Sequence, residues 1–163
     1  MANDGQTVSA RPRLYVMVGV PGSGKTTYVR QHLPNALRVS LDDIRLMLTG
    51  RTYDVRYEPM VAVAGEAVLA ALASHAAEWG MDIVFDATNA TRYWRARSLR
   101  IARQYGLVPI AIFIDCSREM ALQQNRQRAA VVPEDVIDRF FTQLEPPSTD
   151  EGFAEVRRVP CAG

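Results

Sequence analysis

Residues 19–26 read Gly-Val-Pro-Gly-Ser-Gly-Lys-Thr, which fits the Gly-x-x-x-x-Gly-Lys-Thr pattern of a phosphate-binding loop. The apolar run 14–18 before the loop predicts a buried parallel strand. The segment after it, from Thr26 to His32, predicts a helix that Pro34 ends. A strand, a glycine-rich loop and a helix in this order are the context in which the motif cradles phosphates, and they decide the fold.

The residue types of the loop suit a nucleotide and a metal ion. Gly22 and Gly24 allow a tight turn that brings backbone N–H groups close to a polyphosphate, and the helix N-terminus adds positive charge there. Lys25 is the expected cation for the β and γ phosphates, and the Thr26 hydroxyl is placed to bind Mg²⁺. The residues expected to bind ATP in this segment are Gly19, Pro21, Gly22, Ser23, Gly24, Lys25, Thr26 and Thr27. The alternative is a structural glycine-rich turn that Lys-Thr follows by chance.

The choice of lysine in the loop stands out against the rest of the chain. Lysine and arginine together number 19, and Lys25 is the one lysine among them. A compact ammonium fits between phosphates where a planar guanidinium does not. The composition therefore supports a phosphate-binding role for this position.

Length and composition indicate one domain. The chain has 163 residues and a net charge of +1. The overall charge is therefore no evidence for nucleic-acid binding. We expect residues 1–12 to be a flexible N-terminal tail and 13–163 to form the domain. We expect no apolar run long enough to cross a membrane, and therefore a cytoplasmic protein (host cytoplasm, if viral). Cys116 and Cys161 are expected to be reduced thiols.

The order of predicted elements defines the fold class. Strands at 14–18, 37–40, 81–85 and 108–114, with a fifth expected at 156–159, alternate with helices. This order predicts an α/β protein of the P-loop NTPase fold, with a parallel sheet of four to five strands, helices on both faces and a helical lid. In the long helix predicted at 59–79, the side chains expected to face the core are Met60, Val61, Ala64, Val68, Ala71, Leu72 and Trp79.

Polar residues follow the second and third predicted strands, where ligands bind in such sheets. Asp42 or Asp43 is a candidate general base for an acceptor hydroxyl, with a helix N-cap as the alternative, favoured for Asp43. Arg45, three residues after Asp42, could hold an anionic part of the acceptor. Asp86 is expected to assist Mg²⁺ through water or to bond Thr26.

Further candidates lie beyond these carboxylates. Thr88 and Asn89 offer donors toward an acceptor, or else form a structural turn. The segment after 124 predicts a lid whose arginines, first Arg128 and second Arg126, would close over the phosphates; support of the helix C-terminus is the alternative. The helix at 91–105 is expected to carry a basic face, with Arg92 and Arg95 nearest the site; a merely solvated face is equally well supported.

Four segments together resemble the 5′-kinase domain of polynucleotide kinases: GVPGSGKT, SLDDIR, FDATNATRYWR and NRQRAAVVPEDVIDRF. The resemblance covers residues 14–144 and implies transfer of the γ-phosphate of ATP, with Mg²⁺, to a 5′-hydroxyl end of DNA or RNA. It implies that Asp42 is the general base, Arg45 binds the acceptor's 3′-phosphate, Thr88 contacts the acceptor, and Arg128 contacts the ATP phosphates from the lid.

Two departures from that family limit the expectation. Gln124 stands where a basic residue often precedes the lid asparagine, so one phosphate contact is lost or moves to Arg126. No counterpart of the phosphatase domain is present, so removal of a 3′-phosphate is not expected. The alternatives are a P-loop kinase of a small metabolite, nucleoside, antibiotic or nucleotide sugar, and a nucleotide-binding switch with little turnover.

Overall fold

A computed structural model describes residues 10–161, and the expected tail up to residue 9 lies outside the described residues. One five-stranded sheet, all parallel, has the order β2-β3-β1-β4-β5. Its strands are β1 (Arg13–Val18), β2 (Leu37–Ser40), β3 (Ile83–Asp86), β4 (Val108–Asp115) and β5 (Glu155–Pro160). The predicted parallel sheet, including its fifth strand, is confirmed.

Alternation along the central strand β1 builds a core on each face of the sheet. Leu14 and Val16 point into one core, whereas Tyr15 and Met17 point into the other. All four side chains are buried, because β1 lies between β3 and β4 and is covered on both faces. The predicted layers are therefore correct.

Six α-helices cover the sheet in the described part of the chain: α1 (Lys25–His32), α2 (Leu41–Thr49), α3 (Glu58–Trp79), α4 (Arg92–Tyr105), α5 (Arg118–Arg126) and α6 (Glu134–Gln143). Helices α2, α3 and α4 pack on one face and α1 on the other. Helices α5 and α6 form a third cluster, with Val20 of the glycine-rich loop and Ile137 at its centre. This cluster joins the lid to the phosphate-binding loop.

The long helix α3 faces the core with a different set of side chains from the one expected. Its buried residues are Val61, Gly65, Leu69, Ala73 and Ala76. Of the expected set, Val61 is buried and Ala64 and Leu72 are partly buried, whereas Met60, Val68, Ala71 and Trp79 are exposed. The prediction failed because apolar residues occur all round this alanine-rich helix, so its sequence does not define one face.

The same apolar character corrects a second expectation. Residues Val55–Trp79, a 3-10 turn followed by α3, are long and apolar enough to cross a membrane by length and composition alone. Glu58 and Glu66 interrupt this stretch, so the sequence contains no uncharged run of that length. The core helix of a globular protein passes the same test, and α3 contributes Leu69 to the interior.

The expectation of two reduced thiols is wrong in this structure, because Cys116 and Cys161 form a disulfide. Their proximity follows from the sheet register. Asp115 at the end of β4 lies opposite Pro160 at the end of β5, so the next residues of the two strands meet. A sequence separation of 45 residues hides this neighbourhood until the pairing of β4 with β5 is known.

Arg95 does not belong to an exposed basic face of α4, as had been expected. Its side chain is completely buried, with Nε and Nη2 donating to both carboxylate oxygens of Glu151 at 2.8 and 3.0 Å. Its Nη1 donates to the main-chain oxygen of Asn89 at 2.9 Å. A carboxylate from the chain's last third, invisible to local sequence patterns, allows this arginine to be buried. Arg95 therefore supports the loop before α4 and cannot contact an acceptor directly.

We expect Arg95→Ala to destabilise the protein by about 3–5 kcal/mol, because it leaves the Glu151 carboxylate buried and unpaired. Urea unfolding measures the difference. Arg92→Ala is the matched control, since Arg92 pairs with Asp150 at 2.7 Å on the surface of the same helix and such pairs contribute little. Equal shifts of the unfolding midpoint in both variants would contradict the prediction.

Candidate active site

The glycine-rich loop is shaped by its glycines and by contact with the lid. Gly22 has φ +83°, and a Cβ there would lie 2.5 Å from the Ala121 oxygen of α5, so any side chain would push the lid helix away. Gly24 has φ +93° and is the N-cap of α1. Both glycines thus hold backbone conformations that other residues rarely adopt. The loop leads directly into the N-terminus of α1, as expected for a phosphate-binding site.

Lys25 lies inside this loop. Its Nζ donates to the main-chain oxygens of Gly19 at 2.8 Å and Val20 at 2.9 Å. Burial lowers the pKa of Lys25 to about 8, although the charges of Asp86 and Asp42 act in the opposite direction. The Arg128 charge also lowers it. The electrostatic influence of Asp42 and Arg128 on Lys25 is evidence that these three residues share one site.

The end of β3 is tied to the start of α1 by a buried carboxylate. Thr26 donates its Oγ1 proton to Asp86 Oδ2 at 2.9 Å, and Arg38 Nε donates to the same oxygen at 2.9 Å. The hydroxyl bond was one of the two roles expected for Asp86. Arg38 was not among the predicted site residues, although an arginine in the short strand β2 could have indicated a role at the site.

Asp42 lies at the mouth of the site, at the start of α2. One of its oxygens accepts from Arg45 Nη1 at 2.7 Å, and the other pairs with Arg128 Nη2 at 3.4 Å. Its side chain is 66% exposed, so an incoming molecule can reach it. Arg45 also donates from Nε and Nη2 to the two carboxylate oxygens of Glu58 in α3, at 2.7 and 2.9 Å. The expected pairing of Asp42 with Arg45 on one helix face is present.

Asp43 has a different environment from its neighbour. Its side chain pairs with Arg38 at 2.6 Å. The N-cap of α2 is Ser40, whose hydroxyl accepts from the Asp43 backbone N–H. Asp43 is therefore in the first turn of the helix, and the expectation that its side chain is the cap was wrong.

Thr88 and Asn89 follow β3. The Thr88 main-chain oxygen accepts from the N–H of Gly19 at 3.1 Å, which joins this segment to the phosphate-binding loop. Asn89 is buried with φ +46°, a conformation that asparagine tolerates better than most residues. Its Nδ2 donates to the Met17 oxygen of β1 at 2.8 Å. This amide nitrogen serves the structural turn, and so it is not available as the expected donor to an acceptor.

The lid consists of α5, the loop 127–133 and α6. Asn125 closes this loop: its Nδ2 donates to the Val132 oxygen at 2.7 Å and its Oδ1 accepts from the Val132 N–H at 2.9 Å. Sequence reasoning gave this buried asparagine no role, although its place beside a predicted lid was a signal. Arg126 pairs with Glu134 on the lid surface, whereas Arg128 reaches inward to Asp42.

These elements surround one large cleft of about 1510 Å³ at the carboxyl ends of the strands. The expected site residues that line it are Pro21, Gly22, Ser23, Gly24, Lys25, Thr26, Thr27, Asp42, Arg45, Asp86, Thr88, Asn89 and Arg128. Expected residues that lie outside its lining are Gly19, Arg92, Arg95 and Arg126. The cleft continues between α3 and α4, where Glu66 and Trp94 line it.

The residues present fit a nucleotide with a divalent cation. Because the Thr26 proton points to Asp86, the oxygen lone pairs of Thr26 remain available to a hard cation. Ser23 Oγ is buried, and within the described residues it has no hydrogen-bond partner. Across residues 10–161 no group of three or more His, Cys, Asp or Glu side chains could hold a metal ion. A cation at Thr26 would therefore take most of its ligands from phosphate and water, as Mg²⁺ usually does.

Comparison with known proteins gives a curated relative, the bifunctional polynucleotide phosphatase/kinase of Schizosaccharomyces pombe (strain 972 / ATCC 24843). It is 24% identical over 157 residues, which are 93% of this chain and 34% of that protein. The chain thus spans about a third of the length of the curated relative it matches.

Solved structures extend the comparison. A chain of the Pnkp1/Rnl/Hen1 RNA repair complex matches with a TM-score of 0.68 at 26% identity, over 88% of this chain and 47% of that one. A gluconokinase from Sinorhizobium meliloti 1021 matches with a TM-score of 0.64 at 21% identity, over 93% and 84%. The second likeness shows the fold alone, which is that of P-loop kinases.

A family model described as "AAA domain" matches residues 14–147. The matched range begins in β1 and extends past the end of α6, so it includes the phosphate-binding loop, the carboxylates after β2 and β3, and the lid. The chain therefore belongs to the AAA domain family, in which it has the fold of a P-loop kinase.

Proposed function

We propose that this protein is an ATP-dependent polynucleotide kinase, which transfers the γ-phosphate of a nucleoside triphosphate to a 5′-hydroxyl end of DNA or RNA. The observation that carries the proposal is the arrangement of Asp42 at the mouth of the cleft that holds Lys25, with arginines on both sides of the carboxylate. A base opposite a phosphate-binding loop is what transfer to an alcohol requires. A cytoplasmic location is part of the proposal.

On the donor side, the loop N–H groups and Lys25 would hold the β and γ phosphates. Thr26, oriented by Asp86, would hold Mg²⁺, which when bound neutralises phosphate charge. Lys25 would exchange its two main-chain acceptors for phosphate oxygens. The residues proposed for this half also include Pro21, Ser23 and Thr27, which line the cleft.

On the acceptor side, Asp42 would accept the proton of the 5′-hydroxyl while the hydroxyl oxygen bonds to the γ-phosphorus. The bond from that phosphorus to the β–γ bridging oxygen breaks, and the nucleoside diphosphate leaves with that oxygen. Arg128 would stabilise the transferring phosphoryl group from the lid. Arg45 and Thr88 would position the acceptor, and Arg45 would give up part of its contact with Glu58 or Asp42 to do so.

A kinase of a small metabolite is the second candidate, and one observation favours it. The gluconokinase is matched over 84% of its own length, whereas the chain of the RNA repair complex is matched over 47%. The donor half of the cleft would work in the same way in both cases. The two candidates therefore differ only in the acceptor.

Labelled ATP separates the two candidates. We expect transfer of label to 5′-hydroxyl DNA and RNA oligonucleotides, with weaker transfer to nucleoside 3′-phosphates and none to gluconate or other sugars. The same oligonucleotides carrying a 5′-phosphate are the matched control. Transfer to sugars or free nucleosides, with none to oligonucleotides, would overturn the proposal in favour of the second candidate.

Asp42→Asn should lower kcat by about 100- to 10,000-fold, the usual contribution of a general base. Nucleotide affinity should remain close to that of the wild type, because the phosphate-binding loop is unchanged. Asp43→Asn tests the neighbouring carboxylate and should cost much less, since Asp43 pairs with Arg38. A larger loss with Asp43→Asn would move the base to that residue.

The titration of Lys25 predicts how nucleotide binding depends on pH. The free protein has a Lys25 pKa of about 8, and bound phosphates raise it because they favour the charged form. Binding then takes up a proton, so ATP affinity should fall as pH rises through about 8, by at most about tenfold per pH unit. Calorimetry across this range measures the slope.

Two controls accompany this measurement. Lys25→Arg removes the titrating group and should remove the slope above pH 8. Lys25 is also the chain's one lysine, so its acylation can be followed by mass spectrometry; half-maximal labelling is expected near pH 8, with protection by ATP. Half-maximal labelling near the ordinary lysine value, about pH 10.4, would contradict the prediction.

A further inference from the structure

An aromatic side chain lines the part of the cleft between α3 and α4. Trp94, in the first turn of α4, is 45% exposed and lines the cleft, although tryptophan usually buries its large apolar surface. It follows closely on Thr88 and Asn89, which line the same cleft. An indole exposed inside a cleft is a surface on which a flat ligand can stack.

Neighbouring side chains hold the indole of Trp94 in place. The Arg97 guanidinium lies over one face of the Trp94 ring, 4.8 Å from its centroid, so a ligand would stack on the other face. The Tyr93 ring meets Trp94 edge-on at 5.4 Å. Arg97 is itself fixed to Glu66 of α3 at 3.3 Å. Two side chains of α4, one of them anchored to α3 through Glu66, thus orient Trp94 before any ligand arrives, which lowers the entropy cost of stacking on it.

One carboxylate, that of Glu66, pairs with two arginines near Trp94. Glu66 pairs with Arg97 and also with Arg100, at 3.0 Å, so these two arginines have a carboxylate partner. These three side chains keep a net charge of +1, so it is the exposed indole, and not an absence of charge, that suits this end of the cleft to the face of a base. On α3 the cleft lining includes Pro59, Val63 and Glu66, which fall on one side of the helix and form one wall of the cleft.

The length of this wall indicates an extended ligand. From Pro59 to Glu66 the helix rises about 10 Å, whereas successive stacked bases are about 3.4 Å apart. The wall is continuous with the part of the cleft that contains Asp42 and Arg45. A strand of more than one nucleotide fits these dimensions, and a single sugar would leave most of the wall uncovered.

We infer that Trp94, braced by Arg97, is the stacking platform for a base at the 5′ end of the acceptor strand, so that this chain selects single-stranded polynucleotides over small metabolites. The inference rests on the proposed function and specifies its acceptor. Base stacking on an aromatic side chain contributes to binding without hydrogen-bond readout. The platform should therefore tolerate any of the bases.

The test uses oligonucleotides whose 5′-terminal nucleotides carry bases or are abasic. Trp94→Ala should lower kcat/KM for the normal oligonucleotide about 5- to 150-fold, the range for loss of one stacked base. Abasic substitution should cost the wild type a similar factor and cost Trp94→Ala almost nothing further. Independent, additive losses, or no loss with Trp94→Ala, would overturn the inference while leaving the kinase assignment intact.

Trp79→Ala is the matched control, because Trp79 is similarly exposed, at 48%, but stacks on His75 outside the cleft lining. Trp79 and Trp94 are the two tryptophans of the chain, so Trp79→Phe leaves Trp94 as the one fluorescent reporter. Its emission should be quenched by the normal oligonucleotide and not by the abasic one. This binding signal does not need turnover: quenching without phosphoryl transfer would overturn the proposed kinase and support the platform, whereas equal signals from both oligonucleotides would overturn the platform.

Discussion

The buried carboxylate of Asp86 joins the parts of the site that come from different strands. Its Oδ2 accepts from Thr26 at the start of α1 and from Arg38 of β2, while its own backbone ends β3. The start of α1, β2 and β3 are thus held together by one oxygen atom, and Arg38 extends the link to Asp43 of α2. A buried charge is stable only with such partners, so the loss of either donor would disturb both halves of the cleft.

Parallel strands explain how much of this arrangement could be predicted from sequence. Strand ends that share an edge bring their following residues together, so Lys25, Asp42 and Asp86 could be grouped before the structure was known. The glycine-rich motif predicted the loop, and α2, α3 and α4 end at Gly50, Gly80 and Gly106, a residue type that commonly follows a helix. These are local signals, and they were correct.

The errors share a different cause, which is dependence on residues distant in sequence. Arg95 was expected at the surface because arginine usually lies there, but Glu151, 56 residues later, allows it to be buried. The disulfide depends on the pairing of β4 with β5. The inward face of α3 depends on where α2 and α4 pack, since the helix itself is apolar all round. No local pattern contains this information.

Charge pairing in the cleft bears on how substrates would be selected. Asp42 holds Arg45 and Arg128, and Asp86 holds Arg38, so each of these guanidiniums already has a carboxylate partner. A phosphate that recruits one of them must compete with that carboxylate, and only the difference between the two interactions favours binding. Anionic ligands in general would gain little from such a site. A ligand with several polar groups gains at several points at once, and one that drew Arg128 away from Asp42 would free the Oδ2 atom of that carboxylate, while Oδ1 still accepts from Arg45.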